Sequence, residues 1–382
     1  MLTNKSYRIL LKVIVIAILI LLASLIGRNR AQESQKQLLA KHFPDTLYNL
    51  EPINTSKWLV RSKVGNNESN IYIGEGNGYN GKVSVLVKTG ADTVIDNVII
   101  LTHNETVSYF KKLGTNNFFK KITGKDVFTF LEKEPVDVIS GATISSIAVI
   151  QAIQVGYSNG ENILFAQPTY PKFGLLEILV LLLLTMGLII VKIKNKKIKK
   201  YLLWASMLLS FILLGLVYNQ HITLSRVSAI LNGYFPSLYN ELYFYILLFG
   251  SILIILLTRK NIYCHSVCPF GVAQGILAKT GNAKTYRPKY YNHLKLLQGF
   301  IALVVLLISL ALNNPTIAQY EVFGAFFQLT ANTFLFGLLF IVIILSLFIY
   351  KPWCNFMCPI DSVFTYIDHS RKSIVKIWKK ES

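Results

Sequence analysis

Six apolar runs divide the chain, near residues 10–27, 174–192, 201–218, 241–257, 295–313 and 333–350. Each approaches or reaches the roughly 17 to 25 helical residues needed to cross about 30 Å of hydrocarbon, so each predicts a membrane-spanning helix. One long polar stretch, residues 28–172, separates the first run from the other five, and it is large enough to fold as a domain. Inside it the period changes. KVSVLVKTGADTVIDNVIIL alternates around a Thr-Gly-Ala-Asp turn and predicts a β-hairpin. VSYFKKLGTNNFFKKI and KDVFTFLEKE predict helices, and YIGEGNGYNG reads as a glycine-rich loop. ISSIAVIQAIQVGYSNG carries apolar Ile147, Ile150 and Ile153 and stops at Gly160, the pattern of a buried helix. The expected architecture is a six-transmembrane α-helical bundle with an α+β domain between its first and second helices. Residues 1–27 form an N-terminal anchor, 28–172 the domain, 173–350 the five-helix region and 351–382 a tail. A cleaved signal peptide is the competing reading of the first run; LLASLIG is not followed by a clear A-x-A-like site, so an uncleaved anchor is expected.

Charge orients this arrangement. The chain has 382 residues, is 53% hydrophobic and carries a net +20, which fits neither an ordinary soluble enzyme nor a disordered basic tail. Lys5, Arg8 and Lys12 precede or open the first run, KIKNKKIKK contributes six lysines, 258–295 seven Lys or Arg, and the tail from Lys351 six. Only Asp361, Asp368 and Glu381 oppose them there, so this face is predicted to be cytoplasmic, with both termini inside. The opposite short loops hold Arg226 and no other Lys or Arg. Residues 28–172 then face outward, from the cell membrane. Lysines that hug membrane edges, rather than interleaving along a folded domain, exclude nucleic acid as a partner and leave membrane lipid.

All four cysteines belong to an internal repeat. YCHSVCPFG starts at Tyr263 and WCNFMCPID at Trp353, both reading aromatic-Cys-x3-Cys-Pro-apolar. The first motif is expected in a cytoplasmic loop and the second in the cytoplasmic tail. A disulfide framework is disfavoured there by the reducing compartment. Cys264, Cys268, Cys354 and Cys358 are therefore a candidate four-thiolate site, open between an iron-sulfur cluster, a tetrahedral zinc and a redox-active dithiol. His265 sits inside the first copy, but the second has Asn355 at that position, so His265 reads as a surface residue. The surrounding Lys and Arg suit anionic thiolates or an acidic electron donor, although topology alone explains them.

The outward segment contains DVISGATISS, Asp137 to Ser146. Ser140, Thr143 and Ser145 are good helix-capping residues, so a plain cap is one reading. The run Asp137-Val-Ile-Ser140-Gly141-Ala142-Thr143 also resembles the flavinylation signature of FMN-binding domains in the sodium-translocating NADH:quinone reductase and related complexes. His103-Asn104-Glu105-Thr106 resembles a segment of that family near the flavin, and the resemblance covers roughly 75–160. It implies FMN attached to Thr143 through a phosphoester, installed by a flavin transferase, with Asp137, Ser140, Gly141, Ala142, Asn104, Glu105 and Thr106 around it. Gly141 and Ala142 leave room for phosphate, and the helix that follows the motif would turn its N-terminal amides toward it.

An outer FMN domain followed by spans with two C-x3-C-P motifs is similar to membrane flavoproteins of the nitrous-oxide-reductase accessory and reductive-dehalogenase accessory type. The nitrous-oxide accessory proteins continue into a ferredoxin-like domain, whereas this sequence ends in a short basic tail. The resemblance implies an extracytoplasmic FMN-binding domain and an iron-sulfur cluster on the four cysteines. Electrons from a cytoplasmic or membrane donor, with a quinol or a ferredoxin-like protein as candidates, would reach FMN and then an external acceptor. Redox sensing, or maturation of a partner reductase, is the rival function. A zinc-containing membrane scaffold with a flavin domain is a third. The protein is expected to be an electron-transfer component of an oxidoreductase, and no catalytic residue is assigned.

Overall fold

The structure, a computed structural model, describes residues 4–30, 35–44, 47–63, 68–90, 92–132, 136–164, 171–329 and 331–381. Helix α1 (Asn4–Arg30) carries the first apolar run. The polar region then folds as α2 (Gln35–His42) and five strands, β1 (Tyr48–Pro52), β2 (Lys57–Ser62), β3 (Glu68–Asn77), β4 (Lys82–Thr89) and β5 (Ile95–His103). Four helices follow: α3 (Val107–Thr115), α4 (Phe118–Ile122), α5 (Phe128–Glu132) and α6 (Thr143–Gly160). The strands form one antiparallel meander in sequence order. The predicted hairpin is β4–β5 and the predicted buried helix is α6. Residues 133 and 134 of the predicted helix KDVFTFLEKE lie outside the described residues.

Alternation along the strands feeds two cores. Tyr72, Val83, Val85 and Val87 face α6 with Ala148, Ile150 and Ile153, while Ile71, Ile73 and Leu86 pack with Leu39 and Phe43 of α2. The glycine-rich loop read from YIGEGNGYNG is half strand, because Tyr72–Asn77 belong to β3. Its glycines serve close packing. A Cβ on Gly74 would lie 2.0 Å from the Ala152 carbonyl oxygen, and one on Gly76 1.8 Å from that of Ala148, so α6 lies directly on β3. Only the Gly78–Gly81 turn is a loop, closed by Gly78 N–H donating to the Gly81 carbonyl at 2.8 Å.

The bundle comprises α7 (Leu175–Lys192), α8 (Lys196–Ser210) continued by a π-helical segment Phe211–Val217, α9 (Leu224–Leu231), α10 (Leu238–Thr258), α11 (Pro269–Thr280), α12 (Tyr291–Ala311), α13 (Phe323–Phe327), α14 (Thr333–Phe348), α15 (Pro352–Phe356) and α16 (Pro359–Glu381). Among the described residues five helices are long and apolar enough to cross a membrane: Leu11–Arg28, Leu175–Lys192, Lys196–Val217, Leu238–Thr258 and Tyr291–Ala311. The expected sixth span differs. α14 has 16 residues, about 24 Å at 1.5 Å per residue, short of ~30 Å of hydrocarbon. After α14 the chain turns through Lys351, which has a left-handed φ of 50°, into the second cysteine motif.

The cysteine motifs fold back into the bundle instead of trailing from the helix ends. After α10 the π-helical turn Tyr263–Val267 packs on α8, where the Ser206 and Ser210 hydroxyls donate to the carbonyls of Ser266 and Val267. Those serines lie near the middle of the apolar span Lys196–Val217. Ile262 fills the notch left by Gly187 on α7.

Candidate functional site

Two cavities stand out, and they meet. The first, of about 230 Å³, lies between the sheet domain and the bundle. Its domain side is lined by Tyr79, Glu105, Thr106, Tyr109 and Ser140 to Ser145, its bundle side by residues 217–221, Thr223, Gln319, Glu321, Gly324 and Gln328. Thr143 is the first residue of α6 and is exposed. Its hydroxyl is 3.5 Å from the Ile139 carbonyl oxygen, too long a contact to hold it. The turn before it needs glycine, since Gly141 has a φ of 75°. A Cβ there would come within 2.9 Å of Lys112 Nζ, so a cation lies beside the turn. An exposed hydroxyl, helix N-terminal amides and an adjacent ammonium together suit a phosphate group.

The other expected residues separate into two groups. Glu105 is buried beneath Thr143: it accepts the Ser145 hydroxyl and, at 3.0 Å, the Asn80 N–H. Burial raises its pKa above the ordinary carboxylate value despite these bonds. Thr106 also faces the cavity and donates its hydroxyl to Gln319 Oε1. Asn104 does not line the cavity; its amide donates to the Asn313 carbonyl at 3.1 Å and so ties the domain to the bundle. Asp137 is exposed and away from the cavity lining. His103 stacks on Phe110 with ring centroids 3.9 Å apart, and burial lowers its pKa.

The second cavity is lined by all four cysteines, with Tyr263, Phe270, Phe323, Trp353, Asp361 and others. None of the thiols is in a disulfide. The repeat builds the site twice over. In each copy Cys-Pro starts a helix, α11 at Pro269 and α16 at Pro359, with proline where its missing N–H costs nothing. The first-turn amides then face sulfur: those of Phe270 and Gly271 donate to Cys268, and that of Asp361 to Cys358. Gln274 joins the copies, accepting the Trp353 N–H at 3.0 Å and donating to Cys354 Sγ at 3.3 Å. Gln298 on α12 donates to the Cys358 carbonyl at 2.7 Å.

The cavity fits a cluster. A Cβ on Gly271 would sit 3.7 Å from Cys354 Sγ and 3.8 Å from Cys268 Cβ, so glycine keeps the space between the copies open. Among the described residues no three His, Cys, Asp or Glu converge as ligands to a single ion. Four thiols spread around one cavity suit a cluster in which each iron takes one thiolate. The cavity beside Thr143 passes a similar test. Asn219 Oδ1 and His221 Nδ1 are buried without hydrogen-bond partners among the described residues, Glu321 Oε2 has only a 3.7 Å contact with His221 Nε2, and all three side chains line it.

His221 and Glu321 line both cavities. The His221 ring stacks on Phe323 at 3.4 Å, and the Tyr263 hydroxyl accepts the N–H of Ile222 at 2.8 Å. Neither His221 nor Glu321 was singled out from the sequence. Their only local signal is that they are titratable residues in short inter-helix loops almost free of Lys and Arg.

Residues 78–158 match the family model of the FMN-binding domain, and residues 242–288 and 331–377 each match that of the 4Fe-4S binding domain. The first match contains Glu105 and Thr143; the other two contain one cysteine pair each. No curated protein and no solved structure matches the chain. The chain therefore joins an FMN-binding domain to a paired 4Fe-4S binding domain, the combination found in the membrane flavin and iron-sulfur family that its motifs resemble.

Proposed function

We propose that this protein passes electrons across the cell membrane, from a 4Fe-4S site on Cys264, Cys268, Cys354 and Cys358 to FMN esterified to Thr143 and on to an extracytoplasmic acceptor. A flavin exchanges electrons singly or in pairs, so it links a one-electron cluster to varied acceptors. The observation that carries the reading is the wall shared by the two cavities: His221 and Glu321 touch both, so the cofactors need not sit a whole membrane apart. On the other side, His265 next to Cys264 is exposed, and Lys199, Lys260 and Lys351 lie close enough to act on it electrostatically. That supports entry of electrons from the basic, cytoplasmic face, where both termini lie, with the FMN domain on the outer side.

This chain's residues hold the groups in place. Thr143 offers the attachment oxygen, Lys112 and the first amides of α6 offset the phosphate charge, Gln274 locks the two cysteine motifs against each other, and Gln298 ties the second motif to α12. The test is made on protein from cells that hold a flavin transferase. Mass spectrometry of the Thr143 peptide should show an FMN adduct, with iron and sulfide in the same sample. In proteoliposomes, chemical reduction from the cytoplasmic face should reduce the flavin at turnover rates. An unmodified Thr143 overturns the covalent attachment. A flavin that stays oxidised beside a reduced cluster overturns the conduit and favours redox sensing or maturation of a partner.

A further inference from the structure

The matched FMN-binding domain ends at residue 158, yet half the wall around Thr143 comes from bundle segments 217–223 and 319–328, which lie outside all three matched regions. We infer that the membrane bundle completes the flavin site, with the side-chain amides of Asn219, Gln220 and Gln319 taking the pyrimidine edge of the isoalloxazine ring. The inference rests on the reading of the cavity as a flavin site.

That edge of the ring presents an acceptor, a donor and an acceptor in order: O4, N3–H and O2. A complementary wall offers a donor, an acceptor and a donor. Gln220 Oε1 accepts the Tyr243 hydroxyl at 2.7 Å, and Gln319 Oε1 accepts the Thr106 hydroxyl. With their carbonyl oxygens engaged, these two amides offer their NH2 groups as donors. Asn219 supplies the acceptor. Its Oδ1 is buried and has no hydrogen-bond partner among the described residues, a condition that native folds seldom leave without a reason. Its backbone is left-handed, with φ 53°, a conformation that Asn tolerates better than most residues. The sequence thus keeps an amide where glycine would be conformationally easiest. The partners of the two glutamines come from different parts of the molecule, since Tyr243 lies on α10 and Thr106 in the FMN-binding domain. The wall exists only when domain and bundle are docked.

Asn219→Gly removes the amide and keeps the left-handed backbone, and Asn219→Asp restores an acceptor oxygen. The full-length protein is made without the transferase and titrated with FMN. Loss of one hydrogen bond should weaken binding about tenfold in Asn219→Gly, and Asn219→Asp should recover most of it. Equal affinity in all three proteins overturns the inference. The same variants are then made with the transferase. The mass of the Thr143 peptide reports attachment on its own. The tethered flavin should become clearly more fluorescent in Asn219→Gly, as the ring leaves Tyr79 and Tyr109. Unchanged fluorescence at full attachment again overturns the inference. If no adduct forms, covalent attachment fails and the titration alone decides the bundle's part. Wild-type protein that neither carries nor binds FMN sinks both.

Discussion

Glu105 shows how one residue can bind two structural levels. It follows β5, yet its carboxylate is held by Ser145 on α6 and by the Asn80 N–H of the preceding turn, so it sits directly under the Thr143 end of the helix. Burial favours its neutral form and raises its pKa. In the unfolded chain the group ionises in the ordinary range near pH 4.3, while in the folded domain it keeps its proton to higher pH. Between the two values the folded state binds more protons, so this residue's contribution to stability is full below the unfolded pKa and falls as pH rises through the folded one. Glu105→Gln should remove that dependence. Thermal melting of the full-length protein from pH 5 upward is expected to show a flatter profile for the variant, and identical slopes would contradict a raised pKa at Glu105.

At the scale of elements, three helix N-termini are put to related use. α6 starts at Thr143, and α11 and α16 start at the prolines after Cys268 and Cys358, so amide dipoles face the Thr143 end of the cavity and the sulfurs. For α6 this aim depends on its seat. Ala148 and Ala152 rest on Gly76 and Gly74 of β3, with Gly156 closing the contact. Gly76→Ala puts a methyl group 1.8 Å from a backbone carbonyl, which no side-chain rotation relieves. It should destabilise the domain by about 1–3 kcal/mol through overpacking and lower the flavin content along with it. Denaturant unfolding of the variant reads the first effect and absorbance of the purified protein the second. Gly114→Ala, a position open within 4 Å, should leave both near wild type.

At the scale of the whole molecule the decisive feature is the docking of the FMN-binding domain on the bundle. Arg226 of α9 is fully buried. It pairs with Glu241 and Tyr243, and its guanidinium is sandwiched between Tyr79 of the FMN-binding domain and Phe244 of α10, 4.3 Å from each ring centre. Asn104 with Asn313 and Thr106 with Gln319 add two polar ties. Arg226→Met leaves Glu241 buried and unpaired, which should cost about 3–5 kcal/mol. Arg226→Met with Glu241→Met should be clearly milder, because both charges are gone. Denaturant midpoints in detergent for the two single variants and the double would show this; simple additivity would mean that the pair is not coupled.

Five helices long and apolar enough to cross a membrane, the hairpin β4–β5, helix α6 and the pairing of the cysteine motifs were legible in the chain, because each depends on local periodicity or on residue type at fixed spacing. So was the turn before Thr143, because it is made by consecutive residues. The strand role of Tyr72–Asn77 was not legible: glycines that look like a loop are there for a helix that comes more than seventy residues later. The shortness of α14 was hidden by apolar residues that continue past its end. The in-turning of both cysteine motifs, the closeness of the two cavities, and the parts played by Asn219, His221, Gln319 and Glu321 arise only when distant segments meet. An isolated polar residue in a short loop has no period and no partner in sequence. Whether it lines a cavity depends on packing between elements, and only the folded molecule sets that.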